Sequence, residues 1–161
     1  MLRILALAAA FAAPTVDLPE LFQRDLARIA PRTDVPILLP QAMPDEFDRY
    51  VPSGSGRERR WSLQLGAVEG CGGATACFIA AFEGRRGGTP AGPRRVTLAK
   101  GRVGRFTPVT CGASCSPPSI AWRERGATYT IQAKVGTEAT EVDVFRRMAN
   151  SAIRKGPRGG G

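Results

Sequence analysis

Histidine is missing from all 161 residues. Its absence removes the commonest general base, the commonest zinc ligand and the usual charge switch near neutral pH. Ser-His-Asp and Cys-His catalysis are therefore excluded within this chain. Lysine is nearly absent, with Lys100, Lys134 and Lys155 standing against a large excess of arginine. There is no G-x-S-x-G elbow, so Ser53 and Ser55 read as loop residues, and no Gly-Lys-Ser/Thr that would cradle a phosphate. No C-x-x-C occurs, which argues against a redox-active thiol pair. Aromatics are sparse at 7%. The apolar run at the start ends at Pro14-Thr15-Val16-Asp17, short of the ~20 residues a membrane span needs.

That run is nevertheless informative. Met1-Leu2-Arg3 supplies one positive charge, Ile4 to Ala13 is apolar, and Ala10-Phe11-Ala12 is an A-x-A-like cleavage site. Together they predict a secretory signal over residues 1–12 and an exported protein, periplasmic or extracellular. Cleavage leaves 161 − 12 = 149 residues, an ordinary size for one domain. The expected division is a signal over 1–12, a domain over 13–155 and a flexible tail over 156–161. The formal charge of +9 becomes +8 once Arg3 is lost. A positive balance favours anionic partners such as phospholipid headgroups or envelope polymers. The arginines are spread over loops and the last helix without interleaved exposed aromatics, so nucleic acid is not an expected partner.

The four cysteines fall into two close pairs, Cys71/Cys77 and Cys111/Cys115. Four cysteines allow three connectivities; proximity favours Cys71–Cys77 and Cys111–Cys115. Both enclosed loops are small and contain glycine, so local bridges close easily, each stabilising by about 2 kcal/mol. A four-cysteine zinc site is disfavoured, because zinc pairs are commonly separated by two to four residues and Cys71/Cys77 enclose five. No metal or cofactor is expected.

Periodicity orders the rest. Asp17 with Glu20 three residues on reads as the start of a helix over 17–30, its apolar face carrying Leu18, Leu21, Phe22, Leu26 and Ile29. Val35–Pro40 reads as a short edge strand and 41–60 as irregular. From Trp61 the period becomes two, and strands are expected at 61–67, 77–82, 95–98, 105–109, 119–124 and 128–135. An Arg125-Gly126 turn joins the last two. A closing helix is expected over 138–154, capped by Thr137 and ended by Gly156-Pro157. The predicted fold is α+β: a curved antiparallel sheet of about five to seven strands, with an N-terminal and a C-terminal helix packed on one face.

Three stretches carry a resemblance: Val35-Pro36-Ile37-Leu38-Leu39-Pro40, the Trp122…Gly126…Tyr129 hairpin, and Ala149-Asn150-Ser151-Ala152-Ile153. In this order they resemble exported bacterial proteins of unknown function, and are similar to small sheet-plus-helix domains attached to anti-sigma factors and sporulation proteins. The resemblance implies a curved sheet with a helix and no catalytic residues. The chain departs from it at Ala152 and in its two cysteine pairs.

The leading expectation is a non-catalytic domain that binds an anionic envelope component, lipid or protein. Its candidate binding residues are Arg85, Arg86, Arg94, Arg95, Arg102, Arg105 and Trp122. One alternative is a histidine-free hydrolase of envelope polysaccharide that pairs Asp45, Glu46 or Asp48 with Glu69 or Glu83. The other is a purely structural or inhibitor-like module.

Overall fold

The computed structural model describes residues 13–159, so the expected signal lies outside the described residues. Strand β1 (Thr15–Asp17) leads into α1 (Leu18–Leu21). Asp17 caps this helix as its sequence predicts: the carboxylate accepts from the Glu20 amide at 2.8 Å, satisfying an orphan donor of the first turn. The single helix expected over 17–30 is divided. Phe22 leaves helical geometry before α2 (Gln23–Ile29), and a 3-10 turn covers Ala30–Arg32. At the break Phe22 seats edge-on against Phe82, ring centroids 6.1 Å apart.

Val35–Pro40 is buried but is not the strand its sequence predicts. Ile37 makes one antiparallel bridge to Arg158, and the prolines at 36 and 40 remove donors that a ladder would need. That bridge reaches into the segment expected as a tail. The Arg158 amide donates to the Ile37 carbonyl at 2.8 Å and its guanidinium to Gln41 Oε1 at 3.0 Å, so the chain is held at least this far.

Strand β2 (Ala42–Pro44) pairs with β1. There follow β3 (Val51–Arg57), β4 (Arg60–Gly66), β5 (Phe78–Arg86), β6 (Arg94–Thr97), β7 (Val103–Thr107), β8 (Thr110–Cys111), β9 (Cys115–Ser116), β10 (Ser119–Glu124), β11 (Ala127–Ala133) and α3 (Glu141–Lys155). Seven of these strands form one antiparallel sheet in the order β3-β4-β5-β11-β10-β7-β6, while β8 and β9 make a separate hairpin. The class is α+β, with the N-terminal and C-terminal helices against one face of the sheet.

The segment 41–60, expected to be irregular, holds β3. Its Ser53-Gly54-Ser55-Gly56 run alternates with period two. The serines are exposed and the glycines face α2, where a Cβ at Gly54 or Gly56 would lie 2.7 or 2.5 Å from the Ile29 side chain. Close approach of a helix, not looseness, explains these glycines. Helix α3 also starts later than its sequence predicts. Thr140, not Thr137, holds the cap position, because the two threonines close a turn of their own: the Thr137 amide donates to Thr140 Oγ1 and the Thr140 amide to the Thr137 carbonyl, each at 2.9 Å. Gly156, at φ 70°, ends the helix as expected.

One register row organises the covered face. Gly56, Trp61, Gly84, Tyr129, Trp122 and Gly104 stand opposite one another across β3, β4, β5, β11, β10 and β7. Trp61 lies over Gly84, so that a Cβ there would meet its indole at 2.4 Å, and the indole N–H is fixed by the Pro36 carbonyl at 3.2 Å. Gly84→Ala is therefore expected to destabilise by about 2–3 kcal/mol, the cost of overpacking a rigid ring. Gly112→Ala, which meets nothing within 4 Å, is expected to stay within about 0.5 kcal/mol of the parent. Urea unfolding followed by tryptophan emission measures both; equal midpoints would refute the close-packed row.

Candidate functional site

Because successive side chains of a strand alternate between faces, burying the aromatic row forces its neighbours onto the other side of the sheet. That open face is polar. One of its rows carries Arg57, Arg60, Arg85, Thr128 and Arg123 in direct register, and the next carries Ser55, Ser62, Glu83 and Thr130. A groove of about 570 Å³ lies over all of these but Arg123, lined in addition by Gln64. A second hollow of about 270 Å³ continues it past Gln64 and Glu83 to Gln132, Thr75, Cys115 and Pro117. The two make one trough, with arginines at one end and both disulfide loops at the other.

The walls come from connections. Strands β5 and β6 run in the same direction on opposite sides of three other strands, so residues 87–93 must cross the open face to join them. The Gly87 carbonyl accepts from Thr128 Oγ1 at 2.8 Å, and the Gly88 carbonyl accepts from the Arg123 guanidinium. Further on, a Cβ at Gly92 would lie 2.9 Å from the Arg105 backbone. The crossing buries Thr128 and closes one side of the trough.

The far end is stapled. Cys71–Cys77 and Cys111–Cys115 are both bridged, the connectivity that proximity favours, and no free cysteine remains. Gln132 Nε2 donates to the Pro117 carbonyl at 3.1 Å and Lys134 Nζ to the Thr75 carbonyl, tying each loop to β11 or the residue after it. Two disulfides point to an oxidising, extracytoplasmic environment. Among the described residues, no helix is long and apolar enough to cross a membrane, and no group of three or more His, Cys, Asp or Glu could hold a metal ion.

The sequence-based candidates fall in several places. Arg85 is in the trough. Arg86 turns to the other side and donates to the Asp34 carbonyl at 2.9 Å. Arg95 and Arg105 oppose each other on the open face beyond the crossing loop, and Arg94 is exposed on the edge strand β6. Arg102 is paired with Glu124 at 3.1 Å. Trp122 is not at the surface: it is fully buried, stacked on Tyr129 with centroids 5.6 Å apart. Trp61 is likewise a core residue, so among the described residues no exposed aromatic lines the floor. Arg57, Arg60 and Ser62 escaped the sequence reading. Their signal was the alternation on both sides of Glu58-Arg59, visible once Gly54 and Gly56 are read as facing a helix.

The carboxylates are not gathered. Asp45 Oδ1 accepts from the Tyr50 hydroxyl at 2.7 Å and Glu46 from the Gly136 amide at 3.0 Å; Glu69 is exposed in the loop after β4. Among the described residues, Glu83 is the one acid lining the trough. Another groove, of about 440 Å³, does hold two acids, Glu138 and Glu141, beside Val109 and Lys134. Burial first, and then the Glu138 charge, raises the Glu141 carboxyl above its ordinary range. No family model, curated protein or solved structure matches this chain. Asn150 and Ser151 have structural work here: Asn150 Oδ1 accepts from the Ala99 amide at 2.6 Å and Ser151 Oγ from the Gln41 amide at 2.9 Å.

Burial chiefly, and then the neighbouring Glu124 carboxylate, pushes the Tyr129 phenol up to about 12, against smaller opposing effects from Arg125 and Arg86. A phenol whose folded pKa exceeds its unfolded value of 10.0 supports folding fully below pH 10, and that support is lost as pH rises toward 12. Stability should fall across this window, and Tyr129→Phe should flatten the fall. Denaturant midpoints from pH 9 to 12, with phenolate absorbance recorded alongside, decide it. An unchanged slope in Tyr129→Phe would assign the loss elsewhere.

Proposed function

We propose that the chain is an exported, non-catalytic binding domain that holds an anionic cell-envelope component in the trough on the open face of its sheet. One observation carries the reading. Arg57, Arg60 and Arg85 stand directly opposite one another on three adjacent strands, and none is in an ion pair among the described residues. Like charges directly opposite in a sheet destabilise it, each pair by a few tenths of a kcal/mol up to about 1. An anion laid across the row reverses that sign. Guanidinium groups offer it planar, two-pronged donors, and three strands set them over roughly 10 Å.

The rest of the floor narrows the ligand. Glu83 lies two residues along β5 from Arg85, about 7 Å in an extended strand, and Ser62 Oγ donates to it at 3.4 Å. An acceptor at that spacing favours a hydroxyl or amine on the ligand behind its anionic group. Ser55, Thr130, Gln64 and Gln132 supply further hydrogen bonds. With no aromatic platform exposed, recognition relies on charge and hydrogen bonding rather than ring stacking.

Titration calorimetry with soluble polyphosphate, at low and at physiological salt, tests the arginine row. Affinity should fall steeply with salt. Arg60→Gln and Arg85→Gln should each cost about tenfold, the loss of one charge-assisted contact. Unchanged affinity in the triple variant that adds Arg57→Gln would sink the proposal.

A further inference from the structure

Two residues other than glycine hold a positive φ among the described residues, and both are cations: Lys100 at φ 54° and Arg125 at φ 51°. Arg125 precedes Gly126 at φ 74° in the two-residue turn between β10 and β11. This is the type I′ arrangement, where asparagine, aspartate or glycine fits better than a long side chain. Lys100 occupies the turn between β6 and β7, at φ 54° and ψ 33°. Each spends backbone strain to put a cation in a place where a small residue would be easier.

The two positions share one end of the sheet. The Thr97–Val103 pair and the Glu124–Ala127 pair close their hairpins there, as does the Arg57–Arg60 pair on the far side, and Arg86 is opposite Ala127. Arg102 links the two turns, donating to the Lys100 carbonyl at 2.9 Å and to Glu124 at 3.1 Å. Glu124, the acid nearest Arg125 in sequence, is thus buried and already paired. A rim of cations (Arg59, Arg86, Lys100, Arg102, Arg125) therefore follows the edge of all seven strands, about 29 Å at ordinary strand spacing, and outnumbers the acids there, Asp34, Glu58 and the paired Glu124. Among the described residues, the two exposed large apolar side chains, Val68 and Val109, lie in loops at the opposite end, close to the two disulfides.

We infer that this rim is an electrostatic docking surface for an anionic lipid bilayer. Its breadth and its position on turn tips suit a plane of headgroups better than one ion in a cleft. The absence of exposed large apolar side chains at the tips makes contact superficial, held by charge rather than by insertion. The inference rests on export but not on the trough, because Lys100 and Arg125 do not line it.

The test uses the full-length oxidised chain and co-sedimentation with phosphatidylglycerol-containing vesicles. Pure phosphatidylcholine vesicles report whatever Ile4 to Ala13 contribute by themselves. The rim predicts binding to anionic vesicles that is lost at high salt and exceeds binding to neutral ones. At about 1 kcal/mol per cation, the double variant Lys100→Asn, Arg125→Asn should partition roughly thirtyfold less, while its melting temperature stays equal or rises, because asparagine suits both turns. Undiminished partition of this well-folded variant would overturn the inference. So would equal binding to neutral vesicles, or retention by soluble polyphosphate without any binding to anionic vesicles. The triple trough variant Arg57→Gln, Arg60→Gln, Arg85→Gln, should it lose polyphosphate while vesicle binding still depends on Lys100 and Arg125, would separate the two surfaces.

Discussion

The packing of Trp61, Tyr129 and Trp122 side by side across four strands is the constraint on which the remaining structure depends. Rings of this size bury 150–250 Å² each, on the order of 5 kcal/mol of gross transfer free energy apiece. They fit only because Gly84 leaves a gap under Trp61 and because the Pro36 carbonyl receives its indole N–H. The buried 35–40 segment is thus part of the same arrangement. Once this row is sealed under helices and loop, strand alternation leaves no freedom on the other side. Arg57, Arg60 and Arg85 face the solvent together because Gly56, Trp61 and Gly84 face the core together.

The open face consequently carries a stability cost that the covered face offsets. Three guanidiniums in register repel by amounts small beside one buried indole, so the sheet tolerates them without ion pairs. The disulfides serve the opposite end. Each bridges a short loop and stabilises by about 2 kcal/mol, a modest sum in a domain with a full core. Their larger consequence is positional: Cys115, Ser116, Pro117 and Thr75 form the end of the trough, and a floppy hairpin there would leave it undefined. Staples of low energetic value at the end of the trough fit a requirement for shape more than one for foldedness.

Most of the architecture was legible because it follows from periodicity. Trp61, Leu63 and Leu65 announce a half-buried strand, Cys77 to Phe82 a central one, and Val142 to Ile153 an amphipathic helix. Cysteine spacing was enough to pair the bridges. The failures share a cause, which is that particular side-chain contacts, not periodicity, decided them. Ser53-Gly54-Ser55-Gly56 reads as a linker until Ile29 is placed against its glycines. Thr137 is a good cap until Thr140 is seen accepting its amide. Trp122 reads as a groove residue until Tyr129 is stacked on it. The trough was illegible because Arg60 and Arg85 are far apart in sequence, and only register makes them neighbours.

Charge is distributed along the strand axis as well as across the faces. Turn cations outnumber the acids at one end, where Asp34, Glu58 and Glu124 also lie, while Glu46, Glu69, Glu138 and Glu141 lie toward the other with Lys134, and there Glu46 binds the Gly136 amide that precedes α3. A domain polarised this way experiences a torque near a negative plane, with its arginine turns drawn in and its acidic end held off. Strands would then stand away from the plane, and the trough, whose arginines lie at the same end, would open beside it. A ligand bearing an anionic group at the interface and hydroxyls or amines beyond would meet Arg85 first and Glu83 farther out. Strained cations in two turns and repelling arginines in one row are individually unfavourable for folding. Their placement at a single end gives both the same physical rationale.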